Sequence, residues 1–209
     1  IESDEKIVDR ILKGEKQLYE ELMRKYNERL FRISMSVIND ETEAKDIMQT
    51  TYLNAYEKLP SFKKKSSFST LLILILIHES LLRKKKKLKP EELFKRQADN
   101  TENATPLKSL LNKELKKLLE KSIADLPEKY RLVFVMREIE EMSTKETMDI
   151  LKLTESNVKV RLNRAKEMLR NALSDNTTLK QVFKFDEPEC NKVVNYTMNK
   201  INKNLNGTF

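Results

Sequence analysis

The spacing of apolar residues predicts helices along most of the chain. Between residues 4 and 38, apolar side chains recur at spacings of three, four or seven positions, which places them on one face of a helix. These positions are Ile7, Ile11, Leu18, Leu22, Tyr26, Leu30, Ile33 and Val37. Gly14 is expected to separate two helices, and Asn39-Asp40 to end the second one and cap the next. That next helix is predicted over Glu43–Leu59, before Pro60, with Ile47, Thr51, Ala55 and Tyr56 on one face.

The longest apolar run is compatible with two structures. Leu71–Ile77 could on its own be a buried strand, but its neighbours are all helical and no partner strand is apparent. A helix is therefore predicted over Phe68–Lys87. A membrane-spanning helix needs about 20 apolar residues, so the run predicts no membrane insertion. Lys89–Thr105 has little hydrophobic periodicity and is predicted to be a linker, after which Leu107–Ile123 is again helical.

Three helices with a short connection are predicted between Leu126 and Leu173. Pro127 suits the first turn of a helix that runs to about Ile139, with Asp125 as its expected cap and Leu132, Val133, Met136 and Ile139 facing inward. Ser143 and Glu146 have the spacing of a capping box, followed inward by Thr147, Ile150 and Leu151. Thr154 is the predicted cap of the third helix, and Leu153 with Val158 has the spacing of a hydrophobic staple. Two short helices joined by about three residues indicate a helix-turn-helix.

The third helix has an apolar face and a basic face. Its predicted inward residues are Val158, Leu162, Ala165 and Leu169. The opposite face carries Asn157, Lys159, Arg161, Asn163, Arg164, Lys166 and Arg170. Arg and Asn can reach base edges, and Lys and Arg can pair with phosphates. A solvated face of an ordinary bundle is the alternative, but the capping box, short turn, staple and basic helix in this order favour DNA binding.

Composition limits the kinds of function. The 209 residues include 41 Lys and Arg against 33 Asp and Glu, a formal net charge of +8, which favours polyanionic partners: nucleic acid or an anionic membrane surface. Gly (2) and Pro (5) are scarce, as expected of an all-helical chain. One His, one Cys and no phosphate-binding loop make an enzyme a poor interpretation, so no catalytic residues, cofactor or small-molecule substrate are expected. Cys190 lacks the His and Cys neighbours of a zinc site, so no metal is expected either. The single cysteine and the lack of a visible signal peptide favour the cytoplasm.

Two segments then resemble one known family, in the family's own order. Residues 126–147 and 153–166 resemble region four of extracytoplasmic-function (ECF) sigma factors. Residues 43–56, Phe62, 67–72 and the basic run after Leu82 resemble region two. The resemblance covers about residues 5–173 and implies an all-α fold of two small helical domains joined by a flexible linker. The expected division is region two at 1–88, the linker at 89–106, region four at 107–175 and a C-terminal helical extension at 176–209.

The resemblance implies a transcription initiation factor of bacterial cytoplasm. Its expected partners are core RNA polymerase, through the clamp helices and the flap, promoter DNA and an anti-sigma factor. Region two would engage the melted minus-ten element and region four the minus-thirty-five element. The alternative is a helix-turn-helix regulator that acts without being a polymerase subunit, although it leaves the region-two match and the lysine run unexplained. A basic membrane-surface protein is a third interpretation, disfavoured by the helix-turn-helix.

The family's functional positions carry over residue by residue. Expected polymerase-binding residues are Asp46, Gln49, Thr50, Leu53 and Asn54. Expected minus-ten residues are Phe62, Lys63, Lys64, Lys65, Phe68, His78, Arg83, Lys84, Lys85, Lys86 and Lys87. Expected minus-thirty-five residues are Thr154, Ser156, Asn157, Lys159, Arg161, Asn163, Arg164 and Lys166. Positive charge beside aromatic rings suits the binding of single-stranded nucleic acid. The alternative for the lysine run is a solvated basic patch. His78 could equally be structural.

Five positions depart from the family pattern. Thr50 stands where the family usually has an acidic residue, Leu71 where it has Trp, and Leu74 where it often has Arg. His78 stands where the family usually has Asn. Lys152 replaces the usual Gly of the helix-turn-helix turn, where a left-handed conformation would cost a non-Gly residue about 1 kcal/mol.

The C-terminal extension is predicted to contain an amphipathic helix. Its apolar face is formed by Val193, Val194, Thr197, Met198, Ile201 and Leu205. Such a face must bury against something, and docking onto region two or region four is expected. The helix would then either regulate access to DNA or polymerase or serve only as a packing appendage.

Overall fold

A computed structural model describes residues 2–62, 66–87, 107–173 and 187–206, with no side-chain description for 87, 107–115 and 203–206. All regular elements in these ranges are helical, so the all-α prediction is confirmed. The expected linker at 89–106 and Lys63, Lys64 and Lys65 lie outside the described residues.

The N-terminal half consists of four helices. They are α1 (Asp4–Leu12), α2 (Tyr19–Ile38), α3 (Glu41–Lys58) and α4 (Phe68–Lys87). Gly14 has a φ of 113° and lies between α1 and a short 3-10 turn at Lys16–Leu18, as predicted. Asn39 ends α2 in the left-handed region, and the Asp40 side chain accepts a hydrogen bond of 3.0 Å from the Glu43 amide at the start of α3.

Buried aromatic rings hold α2, α3 and α4 together. The Tyr19 hydroxyl donates to the Tyr52 carbonyl at 2.7 Å, and the Tyr52 hydroxyl donates to the Met23 carbonyl at 3.0 Å. Burial raises the pKa of both tyrosines well above the usual value, so they stay neutral donors. The Phe68 ring packs edge-on against Tyr19, with centroids 6.4 Å apart. The run Leu71–Ile77 is helical, as predicted, and it supplies core residues that include Leu72, Ile73 and Leu76.

The C-terminal half contains α5 (Leu107–Ala124), α6 (Glu128–Phe134), α7 (Thr144–Leu151) and α8 (Glu155–Ala172). A π turn, Val135–Ile139, continues α6 to the predicted end. The predicted cap at Asp125 is wrong: Pro127 occupies the capping position, with ψ of 135°, and no side chain caps this helix. The carbonyls just before α6 are instead bonded by a buried side chain, since Arg131 donates to those of Ala124 and Leu126.

A last helix, α9 (Glu187–Asn206), packs against α2 and α3. Val193, Val194, Thr197 and Ile201 are buried along one side of it. The expectation that the extension docks is therefore confirmed, on the N-terminal half.

The two halves contact each other through a buried ionic cluster. Glu140, whose side chain is 4 % exposed, pairs with Arg29 at 3.1 Å and also with Arg32, both from α2. Arg29 further donates to the Glu140 carbonyl at 2.7 Å, and Arg131 donates to the Ser36 carbonyl at 2.6 Å. The C-terminal helices are thus held against α2 in a closed arrangement.

The turn before α8 holds Lys152 in a strained backbone conformation. Lys152 has φ 53° and ψ 46°, the left-handed conformation anticipated from the missing Gly. Replacing Lys152 with Gly should raise the free energy of unfolding by about 1 kcal/mol, because the clash of Cβ with the backbone disappears. Urea unfolding measures this. Lys152→Ala keeps the Cβ and should give no gain, so an equal gain with Ala would contradict the explanation.

Candidate nucleic-acid and polymerase interfaces

The turn between α7 and α8 is built as the capping pattern predicts. The Ser143 hydroxyl accepts from the Glu146 amide at 3.1 Å, and the Glu146 carboxylate accepts from the Ser143 amide at 2.8 Å. The Ser143 hydroxyl also donates to the Glu146 carboxylate at 2.7 Å, and this bond and the one from the Ser143 amide lower the pKa of Glu146. The capping box fixes the start of α7. Thr154 caps α8 by accepting from the Asn157 amide at 3.3 Å. The capping box and the Thr154 cap are both confirmed, and together they fix how α8 is presented.

The outer face of α8 is open to solvent in the closed arrangement. Val158, Ala165 and Leu169 are buried, which leaves the opposite face outward. The expected minus-thirty-five residues that are exposed are Thr154, Ser156, Asn157, Lys159, Asn163 and Arg164, while Arg161 and Lys166 are half-buried. The structure therefore brings all eight together along one helix, most of them accessible to a DNA groove.

Several cations of α8 already have intramolecular partners. Lys159 pairs with Glu155 at 2.6 Å, and Lys166 reaches Glu138 at 2.9 Å. A hydrogen bond with Arg164 lowers the pKa of Tyr130. Exposed ion pairs contribute little stability, so a phosphate can replace either carboxylate at small cost.

Two apolar residues on α8 are functional candidates that the sequence pattern missed. Val160 and Met168 are 48 % and 39 % exposed. Their signal was available, since neither fits the inward spacing of Val158, Leu162, Ala165 and Leu169. An apolar side chain on a recognition helix can contact the methyl group of thymine.

The basic end of α4 is partly paired. Arg83 lies 3.2 Å from Glu43 of α3, and Lys84 pairs with Glu128 of α6. Lys85 and Lys86 are exposed, and the side chain of Lys87 is not among those described. His78 is solvent-facing, with a side-chain exposure of 71 %, so it is not part of the core.

One expected strand-binding residue is a core residue instead. Phe68 is 0 % exposed, between Tyr19 and Tyr26, and its ring has no face left for a base. Its assignment to minus-ten binding is therefore wrong for this structure, because the start of α4 turns inward. Phe62 is only partly buried. Leu74, Leu81 and Leu82 are exposed instead, at 37 %, 41 % and 41 %.

The expected polymerase residues lie on α3. Asp46 is exposed, and Gln49, Thr50, Leu53 and Asn54 are half-buried. Asp46, Gln49 and Leu53 follow the three- and four-residue spacing that shares a helix face. Asn54 is held from α4, because its side-chain amide donates to Glu79 at 3.1 Å.

The docked α9 adds polar contacts to this part of the molecule. Glu189 pairs with Lys45 of α3 at 2.5 Å. On α2, Arg24 donates to Asn191 at 2.6 Å and Asn27 donates to the Cys190 sulfur at 2.9 Å. Sequence reasoning named neither Lys45 nor these α2 partners, because no local pattern indicates which surface an amphipathic helix will cover.

These features define a helix-turn-helix protein that carries a second helical unit. The Sigma-70 region 2 family model matches residues 22–88, and the Sigma-70, region 4 model matches residues 116–169. The chain belongs to the sigma-70 family, in its ECF group. Members of this group are transcription initiation factors that bind core RNA polymerase, and they are not themselves enzymes. Within the described residues, no helix is both long and apolar enough to span a membrane.

Individual relatives are similar to this chain over most of its length. The ECF RNA polymerase sigma factor SigW of Bacillus subtilis is 29 % identical over 181 residues, covering 81 % of this chain and 96 % of its own. The ECF RNA polymerase sigma-E factor of Haemophilus influenzae is 24 % identical over 181 residues, covering 82 % and 95 %. The structure of CnrH with the cytosolic domain of CnrY matches with a TM-score of 0.59 at 20 % identity, covering 81 % and 96 %. The complex of RpoE and the anti-sigma factor NepR from Bartonella quintana matches at 0.54 and 20 % identity, covering 77 % and 95 %.

Proposed function

We propose that this sigma factor reads promoters through two separate surfaces. The outer face of α8 binds the minus-thirty-five element as duplex, and α4 with the loop before it binds the melted minus-ten strand. The observation that carries the proposal is the exposed row of Asn, Lys and Arg on a capped recognition helix, in a chain that also contains region two. Residues near the start of such a helix reach base edges, and cations elsewhere contact phosphates.

The surface for the melted strand differs from the expected one. With Phe68 in the core, Phe62 is the remaining aromatic candidate of the pair for base stacking. His78 stands exposed further along α4, and Lys85 and Lys86 supply charge for phosphates. Since Leu71 replaces the usual Trp, we infer that strand capture depends more on charge here, and that it weakens steeply as salt rises.

The closed arrangement must open for both elements to be bound at once. The two elements are about 25 base pairs apart, or roughly 85 Å at ~3.4 Å per base pair. A compact chain of 209 residues has a radius of gyration of about 17 Å, and hence a diameter of roughly 45 Å. The Glu140 cluster would therefore separate when the factor assembles with polymerase on a promoter.

Two further assignments belong to the same proposal. We infer that an anti-sigma protein binds this chain, since the two similar structures are complexes, one of them with an anti-sigma factor by name. We also infer action in the bacterial cytoplasm, where core polymerase works.

The polymerase surface gives the test of this function. Replacing Asp46 with Arg should lower affinity for core RNA polymerase at least tenfold, because an exposed carboxylate at the centre of the expected contact face becomes a cation. Binding is measured by titrating labelled protein with core enzyme, and promoter-specific transcript is measured in the same mixtures. Wild-type protein should produce transcript only when core enzyme is present.

Lys58→Glu is the control, because it reverses a charge at an exposed position on a different side of α3. It should leave binding and transcription unchanged. Promoter binding by the wild-type chain with no affinity for core enzyme would favour the alternative, a regulator that is not a polymerase subunit.

A further inference from the structure

The docked α9 lies beside the surface assigned to polymerase. Glu189 contacts Lys45, which immediately precedes Asp46 along α3. Lys45 and Gln49 are one helical turn apart, so they are neighbours on the same strip of the helix surface. A packed helix is about 10 Å wide, and a pair of clamp helices is about twice that. Two clamp helices bound on the expected polymerase face would therefore overlap the space that α9 occupies.

The docked helix is held by an imperfect interface. In the described part of α9 four residues are buried, but two polar atoms on this side of the molecule, Asn27 Oδ1 and Thr197 Oγ1, are buried without a hydrogen-bond partner. Buried polar atoms without partners oppose docking. In the part of α9 whose side chains the structure describes, the polar contacts with α2 and α3 come from Glu189, Cys190 and Asn191 at one end, and water or another protein can replace them.

We propose that α9 is an intramolecular competitor that covers one border of the polymerase-binding face and is displaced when core RNA polymerase binds. The inference rests on the proposed function, since it concerns regulation of the same surface. Docked α9 lowers the apparent affinity for core enzyme by the fraction of molecules in which the face is uncovered. The matched family regions cover residues 22–88 and 116–169, so this control belongs to the extension rather than to region two or four.

Two matched pairs of variants test the competition in the full-length chain. Glu189→Lys places a cation against Lys45, whereas Glu187→Lys makes the same change at an exposed position of α9. Val194→Asp puts a charge into the buried side, whereas Asn195→Asp puts it on the exposed side. Glu189→Lys and Val194→Asp should bind core enzyme about tenfold more tightly than wild type, and the two controls should bind like wild type.

Cys190 provides an independent readout, because it is the only cysteine and is half-buried against Asn27. Core enzyme should accelerate modification of this thiol by a maleimide, measured on the Cys190 peptide by mass spectrometry, in wild type but not in Asp46→Arg. Protection of Cys190 by core enzyme, or an unchanged rate, would overturn the proposal even if Val194→Asp fails to fold.

The measured affinities distinguish failure of the proposed competition by α9 from failure of the proposed sigma-factor function. Wild-type and Glu189→Lys proteins that bind core enzyme equally well would overturn the competition and leave the sigma-factor function intact. Weaker binding by Glu189→Lys than by Glu187→Lys would show that α9 helps polymerase to bind, which also overturns it. Absence of binding by every variant would contradict both.

Discussion

Replacing Glu140 with Ala should weaken the docking of the C-terminal helices on α2 by about 3 kcal/mol, because two arginines would lose their buried carboxylate. The Glu140 side chain is 4 % exposed, and those of Arg29 and Arg32 are 28 % and 12 % exposed. Burial tends to lower the pKa of Arg32, but the carboxylates of Glu140 and, to a smaller extent, Glu28 outweigh this and the pKa is raised. Distances between spin labels on α2 and α8, in a Cys190→Ser background, should shift from one short population to a broad, longer one.

Glu28→Ala is the matched control. Glu28 also pairs with Arg32, at 2.6 Å, but its side chain is 47 % exposed. An exposed pair of this kind contributes about 0–1 kcal/mol, so the distance distribution should stay short. Equal opening in the two variants would show that the closed arrangement does not depend on the burial of Glu140.

The same variant connects the closed arrangement with promoter binding. If the halves must separate to span both elements, weakening the Glu140 cluster removes part of the cost of opening. Glu140→Ala should then bind core enzyme and promoter no worse than wild type, despite its lower stability. The loss of Glu140 would then weaken the docking of the two halves more than it weakens promoter binding.

Local signals predicted the helices and the geometry of the helix-turn-helix. The capping box at Ser143, the cap at Thr154 and the left-handed Lys152 each depend on a few neighbouring residues, which the sequence displays directly. The bounds of α4 also follow from local information, since Ser67 and Phe68 mark a clear start and the apolar run continues the helical surroundings.

Features that depend on tertiary packing were not predictable in this way. Asp125 is a good cap by type, but Pro127 sets the helix start two residues later and Arg131 satisfies the preceding carbonyls. The sequence position of Phe68 predicts a strand-binding aromatic residue, but in the structure its ring packs against Tyr19 and Tyr26. Glu140 and its arginines are more than a hundred residues apart in sequence, so no local pattern links them.

Phe68 gives the second large expected effect. Replacing it with Ala should lower the free energy of unfolding by about 3–5 kcal/mol, because a fully buried ring leaves a cavity at the junction of α2, α3 and α4. Its edge-on contacts with Tyr19 and Tyr26, at centroid distances of 6.4 and 6.1 Å, are lost as well. Urea unfolding measures the change.

Phe62→Ala makes the same chemical change six positions earlier and separates packing from strand binding. Phe62 is only partly buried, so its loss should cost stability about 1 kcal/mol while reducing transcript from a duplex promoter. A pre-melted promoter should restore the amount of transcript made with Phe62→Ala only if the ring helps to open the duplex rather than to hold the strand. If Phe68→Ala kept wild-type stability and lost only promoter opening, Phe68 would be a strand-binding residue, and its ring would not contribute to the core of the free chain.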